Sequence, residues 1–176
     1  QPLDPFALAE FARLLVVDFD SIEELSPESR AHLLGPAADE WSGGACSRPL
    51  PDGWKLVILN PAHGKQRNRA TLMEEIAHVF LGHAANRLAV VSPQQSGQKR
   101  ILTRDYNHDD EEAAYAVGAA ALVPYAALRR LVMAGRSASE IARHFRVSRQ
   151  LVEYRIKVTH LWAAYKDVSA PRAEHV

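Results

Sequence analysis

TLMEEIAHVFLGH, residues 71–83, carries the period of an α-helix. At about 100° per residue, Thr71, Glu74, Glu75, His78 and Gly82 share one face, and Leu72, Ile76, Val79, Phe80 and His83 share another. The apolar face belongs to a core, which leaves the polar face for chemistry. There, Glu74 and His78 offer two metal-binding side chains four residues apart, one helical turn. Glu75 stands beside the first, where a carboxylate can take a proton from a metal-bound water.

The flanks place this helix in a mixed fold. Upstream, Trp41–Cys46 and Trp54–Asn60 surround the turn tripeptide Pro51-Asp52-Gly53 and read as a hairpin. In its second strand Leu56 and Ile58 point one way and Val57 and Leu59 the other, as in a strand covered on both faces. Asp4-Pro5 starts a helix in which Phe6, Leu8, Ala9, Phe11, Leu14 and Leu15 are mostly buried, and Ser26-Pro27 starts a short second one. Downstream, Leu88–Val91 and Arg100–Thr103 are candidate strands. The next helix opens in the acidic run Asp109, Asp110, Glu111 and Glu112. It continues through AAYAVGAAA, whose small residues let the 71–83 helix approach closely, and ends near Leu122-Val123-Pro124. The expected class is α+β, with helices around a short, mostly antiparallel sheet.

Composition bounds what this fold can do. A chain of 176 residues with 47% hydrophobic content buries a core of one domain, or one domain with an appendage. Lys and Arg number 21, as do Asp and Glu, so no global field draws the chain to nucleic acid or an anionic membrane. A single cysteine, Cys46, excludes an intramolecular disulfide, is at odds with a four-thiolate zinc knot, and points to a reducing compartment. The apolar stretch 7–17 is interrupted by Glu10 and Arg13, so no membrane partner is expected. The chain opens on Gln1 in place of Met, as a piece trimmed from a longer protein would.

With KLVILN, NRATLMEEIAHVFLGH, the acidic Ala-rich helix ending in LVP and a helix-turn-helix-like tail in view, residues from about 39 to 160 resemble the ImmA/IrrE family of zinc metallopeptidases. The resemblance implies a small zincin-like peptidase domain, cytoplasmic and bacterial, that cuts a helix-turn-helix repressor in a stress or mobile-element response. The tail resembles the IrrE branch, which implies a DNA-damage response. In the family's pattern His78 matches the second histidine and Glu75 the catalytic glutamate. Glu74 takes the place of the first histidine, so the motif is a degenerate HExxH. The third ligand would be an acidic residue at the start of the Ala-rich helix. Counting back from Pro124 without a gap reaches Ala113, which puts Glu112 first and Glu111 second as the candidate.

Carboxylates beside one imidazole shift preference from Zn2+ toward harder ions such as Mn2+, and weaken a zinc site to the point where none need bind. The extra negative charge also makes any bound metal a poorer Lewis acid. Each residue also has a plainer reading. Glu74, Glu75 and His78 can be a solvated helix face, and the acidic run can serve only the positive end of the helix dipole. His83 falls with Leu72, Ile76 and Val79, as a buried, hydrogen-bonded histidine would. His63 and His108 lie in loops near the two ends of the proposed site. All three are candidates to support the ligands or steady an oxyanion. Arg67 and Arg69 pair with local carboxylates in this reading.

From Gly135 onward the pattern changes. Ser137-Ala138-Ser139-Glu140 fits a capping box. Ile141, Phe145, Val147, Val152 and Ile156 then surround a short turn, with Ser148 capping the helix that follows. Arg146 occupies the turn position where glycine is usual. Arg143, Arg149, Gln150, Arg155 and Lys157 make the unit basic, and Arg149 and Gln150 are the candidate DNA or partner contacts. A last helix, Leu151–Tyr165, is apolar enough through Val158, Leu161, Trp162 and Tyr165 to pack on the core, grip a partner or self-associate. The expected organisation is a peptidase domain over 1–134 and a helix-turn-helix-like extension over 135–176. The expected function is metal-dependent regulatory endopeptidase on a helix-turn-helix repressor. The alternative is a weakened or inactive peptidase fold that binds a repressor protein or DNA without cleaving.

Overall fold

A computed structural model of the protein describes residues 2–23, 25–45, 49–83 and 107–169. The candidate strands Leu88–Val91 and Arg100–Thr103, and Cys46, lie outside the described residues. The class is α+β. Helix α1 (Pro5–Phe11) precedes strand β1 (Leu14–Val17), and α2 (Pro27–Leu34) precedes β2 (Gly43–Ala45) and β3 (Lys55–Leu59). Next come α3 (Lys65–Phe80), α4 (His108–Leu122), α5 (Tyr125–Met133), α6 (Ala138–Phe145), α7 (Arg149–Val158) and α8 (Trp162–Ser169).

The first helix is shorter than the apolar pattern suggests. Asp4 caps it through Phe6 N–H at 3.1 Å and Pro5 suits its first turn, but it stops at Phe11, and Arg13 takes a left-handed conformation with φ 53°. Leu14 and Leu15 therefore belong to β1, where the leucine-valine run LLVV is well suited to a sheet. Phe6 and Phe11 are exposed, the latter at 85%, so the helix is not the mostly buried one expected.

The sheet has the order β1-β3-β2. Leu14–Val17 pair in parallel with Lys55–Ile58, and Gly43–Ala45 pair antiparallel with Leu59–Val57. Among the described residues it has one parallel and one antiparallel pairing, the parallel one arising because the chain between Phe11 and Arg13 turns back into the sheet. On β3, Val57 and Leu59 are buried while Leu56 and Ile58 are half-buried, so only one face is fully covered. Asn60, fully buried at the end of β3, donates to Ala38 O at 2.8 Å and Trp41 O at 2.9 Å and accepts from Ala62 N–H at 2.9 Å. Those bonds tie the approach to β2 to the turn that launches α3.

Helix α3 packs on the sheet and α1 on one side and on α4 on the other. Leu72, Met73, Ile76 and Ala77 are buried, and Thr71 with them, whereas Phe80 at the helix end is exposed. Helix α4 runs antiparallel to α3, since His78 lies beside Glu111 and Met73 beside Gly118. The approach is close: a Cβ built on Gly118 would stand 3.3 Å from Met73 O and 3.4 Å from Glu74 N. The small residues of AAYAVGAAA are what this spacing requires.

The C-terminal helices share the same hydrophobic cluster. Ile141, Phe145, Val147, Val152 and Ile156 are all buried in it, as the pattern of the tail implies. Ser137 and Glu140 form the capping box, Ser148 accepts from Leu151 N–H, and Arg146 adopts φ 57°, ψ 45° in the turn. The expected last helix is two helices. Thr159 Oγ1 donates back to Arg155 O at 2.6 Å, His160 turns left-handed at φ 58°, and Leu161 N–H closes the end on Ile156 O. Arg155 points inward: it is 8% exposed, and its Nε donates to Val123 O at the end of α4. Burial holds its guanidinium below the usual arginine range. Among the described residues no single helix is long and apolar enough to cross a membrane.

Candidate metal centre

Helices α3 and α4 bring three ligand-type side chains together. One atom each from Glu74, His78 and Glu111 lies within 4.8 Å of the others, and all three residues are half-buried. His78 Nε2 is 3.7 Å from Glu111 Oε2, with both side chains less than a fifth exposed. Glu74 and His78 meet because they are one turn apart on α3. Glu111 joins them because α4 is held in a fixed helical phase by its buried positions Ala114, Gly118 and Leu122. Stepping back from Gly118 by two turns reaches Glu111.

Ligand atoms held at roughly 2.0–2.2 Å from a cation stand about 3 to 4 Å from one another, so this group closes on an ion with small side-chain rotations. Two carboxylates and one imidazole suit a divalent cation, and with two anionic oxygens they favour a harder one than a two-histidine site does. Glu75 follows Glu74 on α3, half-buried and rotated by about 100° from it. Residues 44–157, well over half of the chain, match the family described as the IrrE N-terminal-like domain, a peptidase family. This chain belongs to that family. No curated protein and no solved structure matches it.

Of the two acidic candidates at the start of α4, the structure brings Glu111 to Glu74 and His78. Glu112 is exposed and lies outside the group, and Ala113 has no ligating atom; Glu111 is the acidic residue on the α3 side. Glu111 stands two residues before Ala113, the position an ungapped count from Pro124 reaches. The signal that finds Glu111 is the small-residue stripe, because Ala114, Gly118 and Leu122 mark the face that α3 covers.

His83 also sits elsewhere than its helical phase suggests. Helix α3 ends at Phe80, Gly82 takes φ 70°, Gly82 N–H donates to Val79 O at 3.1 Å, and His83 N–H donates to His78 O at 3.0 Å. This glycine-dependent cap reverses the chain and lays His83 over His78. Their Nδ1 atoms are 3.0 Å apart and the rings meet edge to face. His83 Nε2 is in turn 3.6 Å from Asp110 Oδ1. Extending the helix wheel through Gly82 put His83 on the wrong face; the glycine itself was the warning.

His63 lies at the opposite end of α3, roughly 20 Å along the axis from His78, and cannot reach the group. Burial, and then the charge of Arg67, hold its imidazole below the usual histidine range. His108 is exposed and one turn before Glu111 on α4, so it remains beside the group. Tyr115 is one turn beyond Glu111 and went unnoticed in the sequence. Burial first, then Tyr154 and Glu74, raise its phenol pKa, so it stays protonated near Glu74. Arg69 pairs with Asp4 at 3.6 Å and also donates to Leu3 O and Arg146 O, and Arg67 donates to Ser42 Oγ at 3.0 Å. On α7, Arg149 and Gln150 are exposed, with Arg149 Nε held by Glu153 at 2.7 Å; the buried Arg155 is withdrawn from that surface.

Proposed function

We propose that the protein is a divalent-metal-dependent regulatory endopeptidase whose substrate is a helix-turn-helix transcriptional repressor, cut during a stress or mobile-element response. The observation that carries the reading is the meeting of Glu74, His78 and Glu111 beside Glu75, in a chain of a peptidase family. A cation bound there, Zn2+ or Mn2+, would polarise the scissile carbonyl and acidify the attacking water. Glu75, beside Glu74, would take up the proton of the attacking water and pass it to the leaving amine. Tyr115, one turn of α4 from Glu111 and kept protonated, would be the donor to the carbonyl oxygen as it gains charge. Glu74 makes the site more anionic than a histidine would, which slows the chemistry by raising the pKa of the water.

That same substitution supports a second reading: a scaffold that has kept repressor binding and lost cleavage. Metal analysis of the purified protein beside Glu75→Gln and His78→Ala, followed by incubation with a repressor encoded next to it, separates the two. The enzyme reading expects near-equimolar metal in the unmodified protein and in Glu75→Gln, little in His78→Ala, and repressor cleavage only by the unmodified protein. No Zn2+ or Mn2+ in the unmodified protein would sink it, while bound metal with intact repressor would favour the binding-only reading.

A further inference from the structure

We infer that Asp110 and His83 are positioning residues for the metal centre, forming a line Asp110–His83–His78 that sets which nitrogen of His78 carries the proton. This rests on the reading of Glu74, His78 and Glu111 as ligands.

The argument is a proton count. The two facing Nδ1 atoms of His78 and His83, 3.0 Å apart, have room for one proton between them. A His78 that ligates through Nε2, the nitrogen facing Glu111, must carry its proton on Nδ1. His83 Nδ1 then receives that hydrogen bond, so the proton of a neutral His83 sits on Nε2. That nitrogen faces the Asp110 carboxylate at 3.6 Å, which attracts an N–H. Every group on the line is matched. The opposite tautomers turn an N–H of His78 toward Glu111, where it occupies the nitrogen a cation needs, and set a bare lone pair of His83 against the Asp110 carboxylate. Asp110 thus favours the ligand-ready form of His78 against the pull of Glu111 on the other nitrogen.

The backbone supports the same arrangement. The cap at Gly82 anchors His83 N–H on His78 O, so the two imidazoles are joined through main chain as well as side chain. Asp110 and Glu111 are adjacent on α4 and address His83 and His78 respectively. One turn of α4 therefore supplies a ligand and the orienting carboxylate. His83 is 13% exposed, so water competes little for its ring. Partners of this kind in metal sites typically change affinity 10- to 100-fold when removed.

The test uses the full chain with His83→Leu, His83→Gln and Asp110→Asn. Affinities for Zn2+ and Mn2+ are read by competition with a chelating dye. The His78 tautomer is read in metal-free protein from its ring 15N shifts. Leucine can neither accept from His78 nor donate to Asp110, so affinity falls about 10- to 100-fold and His78 moves toward the Nε2–H form. Glutamine can do both, through its carbonyl and amide, and restores affinity to within about threefold and the Nδ1–H form. Asp110→Asn shifts the tautomer in the same direction as leucine. Equal losses for glutamine and leucine, or an unchanged tautomer in the leucine variant, would overturn the inference. If the unmodified protein binds no metal, the proposed function fails, and the tautomer shifts still decide whether the line exists.

Discussion

Gly118→Val tests whether the spacing of α3 and α4 builds the centre. A Cβ at this position already stands 3.3 Å from Met73 O and 3.4 Å from Met73 C and Glu74 N, all backbone atoms that cannot swing aside. Valine adds two methyls about 1.5 Å beyond that Cβ, and its stiff χ1 in a helix leaves no clear direction for both. Carbon contacts relax at about 3.5–4.0 Å, so α4 must retreat by on the order of 1 Å. Overpacking of this kind costs about 1–3 kcal/mol, and the helix-propensity gain over glycine recovers only a few tenths. The net expectation is a loss of about 2 kcal/mol, read by urea denaturation, and a Tm lower by roughly 6 °C. Glu111 rides on the same helix two turns away, and metal ligands must sit within about 0.2 Å of their distances, so metal affinity should fall at least tenfold. Gly118→Ala is the milder partner: its helix-propensity gain of about 1 kcal/mol offsets the tight contact, leaving stability near unchanged. A Gly118→Val protein that is destabilised yet binds metal as tightly as the parent would refute the claim that this helix spacing sets the site.

Glu74→His restores two imidazoles four residues apart and should tighten zinc binding by about an order of magnitude while weakening the relative hold on Mn2+; paired dye-competition titrations would show whether the preference moves. Glu111→Gln should weaken metal binding and Glu112→Gln should not, because only the former faces His78; an equal effect of both in the same titration would return Glu112 to the site. Asn60→Ala removes a fully buried side chain that makes three hydrogen bonds to half-buried and exposed backbone, and should cost about 2 kcal/mol by urea denaturation, a loss under about 0.5 kcal/mol contradicting its role. The folded-state pKa of His63 is depressed, so the unfolded chain protonates first as pH falls below about 6.5, and this residue's contribution to stability is lost from there down to the folded pKa. A Tm-versus-pH profile of His63→Gln should be flatter than that of the parent below pH 6.5; coincident profiles would assign the acid sensitivity elsewhere.

What could be read without a fold was local. The 3.6-residue period put Glu74 and His78 on one helix face, the serine caps at 137 and 148 marked the C-terminal helices, and the small residues of 113–121 foretold a close helix partner. Each of these is a relation within one helix turn or one cap, where spacing along the chain is spacing in space. The failures came where the chain changes direction. Arg13 ended α1 and sent Leu14 and Leu15 into a parallel strand, and Gly82 swung His83 from the apolar face onto His78. A helical phase cannot be carried through a left-handed residue.

The sequence by itself determined the peptidase-like helix, its pair Glu74 and His78, and the glutamate beside them. The remaining neighbours of that pair come from the packing of α4 on α3. Whether Glu111 or Glu112 joins the pair depends on the rotation of α4, which is set by Gly118 resting on the backbone of α3 and by Ala114 and Leu122 in the core. Whether His83 and Asp110 take part depends on two helix ends meeting. Both are contacts between residues far apart in the chain, and their geometry follows from packing, which no local spacing encodes.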